Sequence, residues 1–319
     1  MENEKTVLVT GGSGFIGVET CKQLVAAGYQ VINIDRKKKD IEGVTQYPFD
    51  IANSQVKGII TLTKPDAIIH LAADHEVERS NTDPAEYYWN NVANTIALLN
   101  HAAEAGVKNF IFSSTSSVYG EKKYFPTPEM SIRAPISPYS KTKKIIEDIL
   151  PDYEAAYGMK FIVLRYFNAA GASIDNKHGY TQRPATHLIP VICRAIINQE
   201  PVIIKGDDYD TDDGSCIRDY THVVDVARAH LCALEYIKDN ASNTFNIGGG
   251  KAYSVYEVIT KANQVLNTKV AVTIGAKRKG DVSRIEGNIT KAAELLNWAP
   301  DYSLDDMINH AYKWELKQK

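Results

Sequence analysis

Cysteine is scarce in this 319-residue chain, and the four it has, Cys21, Cys193, Cys216 and Cys232, lie far apart with no C-x-x-C pair. Such spacing offers neither a disulfide framework nor a structural zinc site, and it fits a reducing cytoplasm. No apolar stretch approaches bilayer-spanning length, and no basic segment precedes the first apolar run, so neither a membrane span nor a secretory leader is expected. Without a secretory route, the sequons at Asn240 and Asn288 carry no meaning. An excess of one charge is missing too: 36 Lys and Arg against 39 Asp and Glu leave −3, which removes the electrostatic reason to expect nucleic acid as a partner. The run "RKKK" at Arg36 to Lys39 is a local exception and reads as a solvated loop. The eight histidines include no H-E-x-x-H or similar ligand spacing, and in "DYDTDDG" from Asp208 the glycine comes one place late for a calcium loop. No metal is expected.

What the chain does have is alternation. Short apolar runs, "TVLVT" at Thr6, "QVINID" at Gln30, "DAIIHLA" at Asp66, "NFIFSS" at Asn109 and "FIVLRYFN" at Phe161, alternate with helical patterns. Runs apolar at every position suit strands buried on both faces, and helices between them suit right-handed crossovers. Gly28 and Gly106 are placed to close two of those helices. The expected fold is α/β, a Rossmann-type doubly wound parallel sheet with a smaller C-terminal α/β cap. Residues 1–168 with 218–246 are assigned to the dinucleotide-binding domain, and 169–217 with 247–319 to the cap. "PVIIKG" and "NTFNIGG" read as later strands, with helices at "LIPVICRAIIN" and over Val224 to Lys238.

The first strand runs into "TGGSGFIG", with Gly11, Gly14 and Gly17 at intervals of three before a helix. Glycine permits the tight turn, a close approach of backbone to pyrophosphate, and close packing of helix on strand. The helix N-terminus adds amide donors and positive dipole. A glycine turn that merely connects strand to helix would not need the acid that follows. Asp35 ends the second strand near the distance at which a carboxylate binds adenosine ribose hydroxyls, which favours NAD. Arg36 and the lysines behind it are the opposing signal, since they suit a 2′-phosphate.

"NFIFSSTSSVYG" presents Ser113, Ser114 and Thr115 at the C-terminal end of a strand, where open parallel sheets bind ligands. "SPYSKTKKIIEDIL" then puts Tyr139 and Lys143 one helical turn apart on one face. Alone, that spacing is as consistent with the polar start of a surface helix. A phenol titrating near ~10 needs a fall of about three pKa units, roughly 4 kcal/mol, to serve as a base at neutral pH. A neighbouring ammonium typically supplies about one to three, and an oxidised nicotinamide would add a second positive charge.

Taken with "HLAA" at His70, "NNV" at Asn90, "LRYFNAAGA" at Leu164, "HLIP" at His187, "DDGSCIRDYTHVVDVARAH" at Asp212 and "RKGD" at Arg278, these features resemble the extended short-chain dehydrogenase/reductase family, also described as NAD-dependent epimerases and dehydratases. The likeness runs almost end to end and is nearest to the branch that epimerises UDP-hexoses at C4. It implies an isomerase with bound NAD in which Tyr139 exchanges the proton of the sugar 4-hydroxyl, Lys143 lowers the phenol pKa and holds the nicotinamide ribose, and Thr115 hydrogen-bonds the same oxygen. Cofactor contacts implied by position are Gly11, Gly14, Phe15, Ile16, Gly17, Asp35 and Arg36 at the adenosine and pyrophosphate end. Asp50 and Ile51 would lie beside the adenine, followed by Leu71, Ala72, Ala73, His75 and Asn90. Ser113, Tyr139, Lys143, Tyr166 and Phe167 complete the nicotinamide end.

The UDP-sugar falls by the same resemblance to Thr115, Tyr139, Asn168, His187 and Leu188, with Ile203, Lys205, Arg218, Arg278 and Asp281 on the cap side. Dehydratases of the family carry an Asp-Glu pair after the catalytic threonine, and UDP-glucuronate decarboxylases usually carry Glu at the second of these positions. Ser116 and Ser117 stand there instead, which favours epimerisation. Lys205, His75 and His187 depart from the best-known pattern, and Ile285 occupies the position that gates room for an N-acetyl group. The expected substrates are UDP-glucose and UDP-galactose, the alternatives being another UDP-sugar or a non-catalytic NAD sensor. The resemblance also implies a homodimer packed through Ala93 to Glu104 and Lys141 to Tyr157.

Overall fold

Seven strands form one parallel sheet in the computed structural model, which describes residues 5–278 and 281–319. Along the chain come β1 (Thr6–Thr10), α1 (Phe15–Ala26), β2 (Gln30–Ile34), β3 (Val44–Tyr47), α2 (Gln55–Thr63), β4 (Ala67–His70), α3 (Val77–Thr82) and α4 (Pro84–Tyr88). They are followed by α5 (Asn94–Glu104), β5 (Asn109–Thr115), α6 (Pro138–Tyr157), β6 (Lys160–Tyr166), β7 (Asn168–Ala170), α7 (Leu188–Asn198), β8 (Val202–Lys205) and β9 (Ile217–His222). The last third holds α8 (Val223–Asp239), β10 (Asn243–Ile247), β11 (Ala252–Ser254), α9 (Val255–Val265), β12 (Val272–Gly275), β13 (Arg284–Ile285), α10 (Thr290–Leu296) and α11 (Leu304–Leu316). The main sheet has the order β10-β6-β5-β4-β1-β2-β3, so the winding direction reverses between β1 and β4. Ligands of doubly wound sheets bind at that reversal, beyond the strands' C-terminal ends.

Both faces of the sheet are covered, which is why its strands read as unbroken apolar runs. Val7, Val9 and Phe245 pack with Val18 and Leu24 of α1 and Val226 and Ala229 of α8 on one face. Leu8, Ile68 and Phe110 pack with Ile60 of α2, Leu98 of α5 and Ile146 of α6 on the other. Gly28 and Gly106 sit at φ +84 and +78, closing α1 and α5 as their positions suggest. The helix expected from Ala93 is preceded by a π-turn over Trp89–Ala93, which carries Asn90 and Asn91.

A second sheet lines up β11-β9-β13, with β7 also paired to β9, and β8 pairs only with β12. Residues 218–222, grouped by sequence with the main sheet, therefore form the centre of this second sheet. Conversely Ala292, Leu296 and Trp298, grouped with the cap, pack into the main core against α8. A third core, with Ile192 of α7, Val258 of α9 and Ile308 of α11, underlies the smaller lobe. Lys279 and Gly280 of the "RKGD" motif lie outside the described residues.

Candidate active site

The loop after β1 is shaped by what a side chain would strike. Gly11, at φ +76, would place a Cβ 2.7 Å from the Ala72 amide, and Gly17 would place one 2.2 Å from the Gly11 carbonyl. Helix α1 therefore seats against the loop only if both positions are glycine. Gly14 is its N-cap and brings no side-chain cap, and the first turn holds no acid. The opening amides of α1 thus keep their donors and dipole for an outside anion.

Asp35 accepts the Ser13 amide at 3.0 Å and the Lys37 amide at 2.8 Å, one on each oxygen. A carboxylate has about four acceptor positions, so two remain for a ribose diol. Arg36 lies 3.7 Å from both the Asp50 and the Asp74 carboxylates. Two carboxylates beside it offset the charge that would otherwise suit a 2′-phosphate. Ile51 is buried. After β4 the Leu71 and Ala72 amides return to Thr10, and Ala73 leads to Asp74, whose amide and carbonyl both bind the Asn91 side chain. Asn91 also donates to Thr142 at 3.2 Å, and Asn90 donates to the Asp74 carboxylate at 2.7 Å. Asn91 was not singled out by sequence, yet it joins the cofactor loop to helix α6. The glycine cradle, the open helix end and the unsaturated acid together fit a dinucleotide.

Helix α6 begins with a capping box of Ser137 and Ser140 and with Pro138 in its first turn, which fixes where Tyr139 points. Thr115, at the end of β5, stands close enough to favour the ionised Tyr139 phenol, and its hydroxyl donates to Ser117 Oγ at 3.2 Å. Lys143 donates to the Ser113 carbonyl at 2.7 Å and lies 4.9 Å from the Phe112 ring centroid. Burial pushes the Tyr139 phenol up to about 12, with Thr115 opposing. Burial also brings Lys143 down to about 7, with Glu147 opposing.

In the protein without cofactor, burial sets the direction of the phenol's shift, and Lys143 is bonded to a carbonyl of the neighbouring strand. Tyr166 and Phe167 close the same end of the sheet: the Tyr166 hydroxyl bonds His230, and the Phe167 amide donates to the Ile247 carbonyl at 3.2 Å. Because His230 uses Nδ1 toward the Val226 carbonyl, its Nε2 accepts and Tyr166 donates.

Beneath this set runs a buried ionic network that sequence reading did not mark. Glu147, one turn beyond Lys143, receives Ser114 and a two-pronged Arg165, with Nε–Oε1 at 3.0 Å and Nη2–Oε2 at 2.6 Å. Arg133 adds a third contact at 2.9 Å. Arg165 continues to the Tyr119 hydroxyl, which donates to Asn246 on β10. The only available signal was the i, i+4, i+8 spacing of Tyr139, Lys143 and Glu147 on one helix face.

On the cap side Arg218 of β9 lies 3.6 Å from Asp281 and stands opposite Ile285 in the ladder. Arg218, Arg278 and Asp281 all act on the Tyr209 hydroxyl, which donates to the Lys205 carbonyl at 3.1 Å. Ile203 stands apart, 51% exposed on the two-stranded sheet. Asn168 donates to the Asp219 carbonyl at 2.8 Å. The buried Asp219 carboxylate takes the Gly249 amide at 2.5 Å and the Gly287 amide at 3.2 Å. Burial lifts it to about 7 against those bonds.

His187 is the N-cap of α7, just ahead of Leu188, and stacks on His75 with centroids 6.4 Å apart, so two of the three departures from the family pattern meet. Burial brings His187 down to about 4, with His75 and Arg278 adding to the effect, and its Nδ1 is buried without a hydrogen-bond partner among the described residues. An orphaned buried nitrogen with the Arg278 charge close by suits a polar ligand.

The NAD dependent epimerase/dehydratase family matches this chain over residues 7–248. A UDP-glucose 4-epimerase of Halalkalibacterium halodurans is 43% identical over 316 residues, covering 97% of this chain and 95% of that one. The crystal structure of UDP-glucose 4-epimerase from Brucella ovis in complex with NAD superposes with a TM-score of 0.91 at 38% identity, over 97% of each chain. That of the Bifidobacterium longum enzyme in complex with NAD+ and UDP gives 0.92 at 32% identity, over 98% of each.

Proposed function

The chain belongs to the NAD dependent epimerase/dehydratase family, and from that premise we propose that it is an NAD-dependent UDP-glucose 4-epimerase, interconverting UDP-glucose and UDP-galactose through a transient 4-keto sugar. The observation that carries this reading is the hydroxyl pair of Tyr139 and Thr115 beside Lys143, at the cofactor end of β5, with Ser116 and Ser117 where eliminating relatives need acids.

NAD, when bound, supplies the acceptor for hydrogen leaving C4 and returns it. Phe15, Ile16 and Gly17 offer the amides for its pyrophosphate, Asp35 the acceptors for its adenosine ribose, and Lys143 a donor for the ribose at the other end. Tyr139 takes the proton from the 4-hydroxyl as that carbon is oxidised and gives it back on reduction. Since burial alone holds the phenol near 12, Tyr139 acts as a base only when positive charge gathers beside it. Thr115 keeps the oxygen of C4 aligned with the phenol. Arg218 and Arg278 hold the diphosphate with planar, permanently charged donors, and Asn168, His187, Leu188 and Asp281 orient the nucleotide sugar, with Ile203 and Lys205 at the base. The 4-keto sugar must turn over in the site before it is reduced on its other face.

We assign residues 1–168 with 218–246 chiefly to NAD and the remaining segments chiefly to the sugar nucleotide, except that Asn168 and Arg218, at the ends of these spans, serve the sugar nucleotide and strand β9 sits in the second sheet. The free cysteines suit a reducing cytoplasm, and no helix among the described residues is long and apolar enough to cross a membrane. Two copies are inferred to pair through α5 and α6, a reading supported by Trp89 and Tyr157 at 70% and 55% exposure next to and on those helices. The deciding experiment incubates the purified protein with UDP-galactose, without added cofactor, and follows UDP-glucose by chromatography. Absence of conversion in protein that carries NAD would overturn the proposal.

A further inference from the structure

Three segments distant in sequence meet at His178. Its ring is 2% exposed, and Nε2 lies 3.2 Å from the carbonyls of both Gly14 and Phe15, at the opening of α1. Nδ1 is bonded to the ammonium of Lys39, the last residue of the "RKKK" run. An ammonium has only donors, so Nδ1 accepts and Nε2 carries the proton given to the two carbonyls. Lys39 is therefore not the solvated charge the sequence suggested.

The segment that carries His178 is firmly built. The Ser173 hydroxyl accepts the His178 amide at 2.9 Å, Asp175 pairs with Lys22 of α1 at 3.2 Å, and Trp314 donates to the Tyr180 carbonyl at 3.1 Å. The ring itself sits between Phe15 and Trp314, with centroids 6.3 and 6.2 Å away. Burial holds the imidazole neutral, its pKa brought down to about 4, so the bonding pattern persists through the physiological range.

The places joined here have one thing in common. In a doubly wound fold the pyrophosphate lies at the N-terminus of α1 and the adenosine ribose on the acid after β2. Gly14 and Phe15 belong to the first of these loops, Lys39 to the second, and residues 173–180 to the connection from β7 toward the cap. We propose that the Lys39–His178–Gly14/Phe15 contact is a latch that retains the bound dinucleotide by tying the cap segment across the two loops it must slip between to leave.

This rests on the proposed epimerase reading, and the chemistry of that reading gives it a purpose. An epimerase returns within one cycle the electrons it takes, so release of a reduced cofactor would strand the sugar as a ketone. Retention serves such an enzyme, whereas a dehydrogenase must exchange its cofactor each turn.

The test loads wild type, His178→Ala, Lys39→Met and the double variant with NAD, removes free nucleotide by rapid desalting, and follows release by exchange against labelled NAD. Each single variant is expected to release NAD about tenfold faster or more, the order of size of losing a buried, charge-assisted hydrogen bond. The double variant should be no faster than His178→Ala, because both changes break one contact. Turnover lost on dilution should return when NAD is added, which a misfolded protein would not show. Lys39→Met alters only a half-buried ammonium, so it decides the matter if His178→Ala folds poorly. Release at the wild-type rate in Lys39→Met and His178→Ala overturns the latch and leaves the epimerase reading standing. A folded wild type that takes up no NAD overturns that reading and the latch with it.

Discussion

Replacing Glu147 by Gln should weaken the protein and move its pH dependence at the same time, because one carboxylate serves both the core and Lys143. Glu147 and Arg165 are almost wholly buried, with side chains 2% and 5% exposed. Removing one member of a buried ion pair typically costs about 3–5 kcal/mol, since the other charge is left uncompensated. Gln still accepts from Ser114 and Arg165, so the lower end, about 3 kcal/mol, is expected. With an unfolding entropy of about 2.1 cal/mol/K per residue, a chain of this size should lose about 4–5 °C in Tm.

The second effect has a definite sign. Burial already brings Lys143 down to about 7, and Glu147 is the group holding it up. Loss of that anion disfavours the ammonium further, so Lys143 becomes neutral at lower pH and the alkaline limb of the rate profile moves down. The measurements are thermal unfolding at a fixed saturating NAD concentration, because bound cofactor itself raises Tm, and epimerisation rate from pH 5 to 10. A Tm within about 1 °C of wild type together with an unmoved alkaline limb would refute the reasoning.

Tyr139→Phe should keep NAD yet lose about 10²–10⁴-fold in turnover, the usual worth of a general acid–base group; a near-normal rate removes Tyr139 as proton carrier. Gly17→Ala should purify with little or no NAD, because the new Cβ falls 2.2 Å from the Gly11 carbonyl and 2.6 Å from the Gly12 Cα, both backbone atoms; full NAD content measured after heat release contradicts this. Acid should destabilise the protein early: burial lowers His70 and His222 to about 3 and His178, His187 and His230 to about 4. The unfolded chain binds those protons first, so stability present above about pH 6.5 is lost as pH falls toward 4, while the raised Asp219 works the opposite way between about 4 and 7. Tm recorded against pH should drop below 6.5, and a flat curve from pH 7 to 5 would count against these assignments.

How much of this was legible depended on whether the cause lay within a few residues of its effect. Strands such as Thr6–Thr10 are buried on both faces, and that leaves a mark in composition alone. Val44–Tyr47 forms the half-covered edge of the sheet and left none. The glycine spacing and the Tyr139/Lys143 turn are local geometry and were read correctly as positions. The upward pressure of burial on the phenol was not legible, because how deeply a side chain is buried is something no spacing encodes. The strand Ile217–His222 reads as polar, and its three partners come from residues 168–170, 252–254 and 284–285, so its place in the second sheet is a tertiary fact. Glu147 looked like any helical acid, and His178 lay in a stretch with no periodicity; each acquires meaning only from what folds against it.

The position of β10 bears on how the chain is made. Strand β6 is complete at Tyr166, but its outer neighbour is not synthesised until Asn243–Ile247. At about 5–20 residues per second, the 76 intervening residues take roughly 4–15 s to emerge. Throughout that interval an apolar strand, "FIVLRY", shows an unsatisfied row of backbone donors and acceptors to the crowded surroundings of a ribosome. Cold, which slows translation, lengthens the exposure, and a holding chaperone would find its grip there.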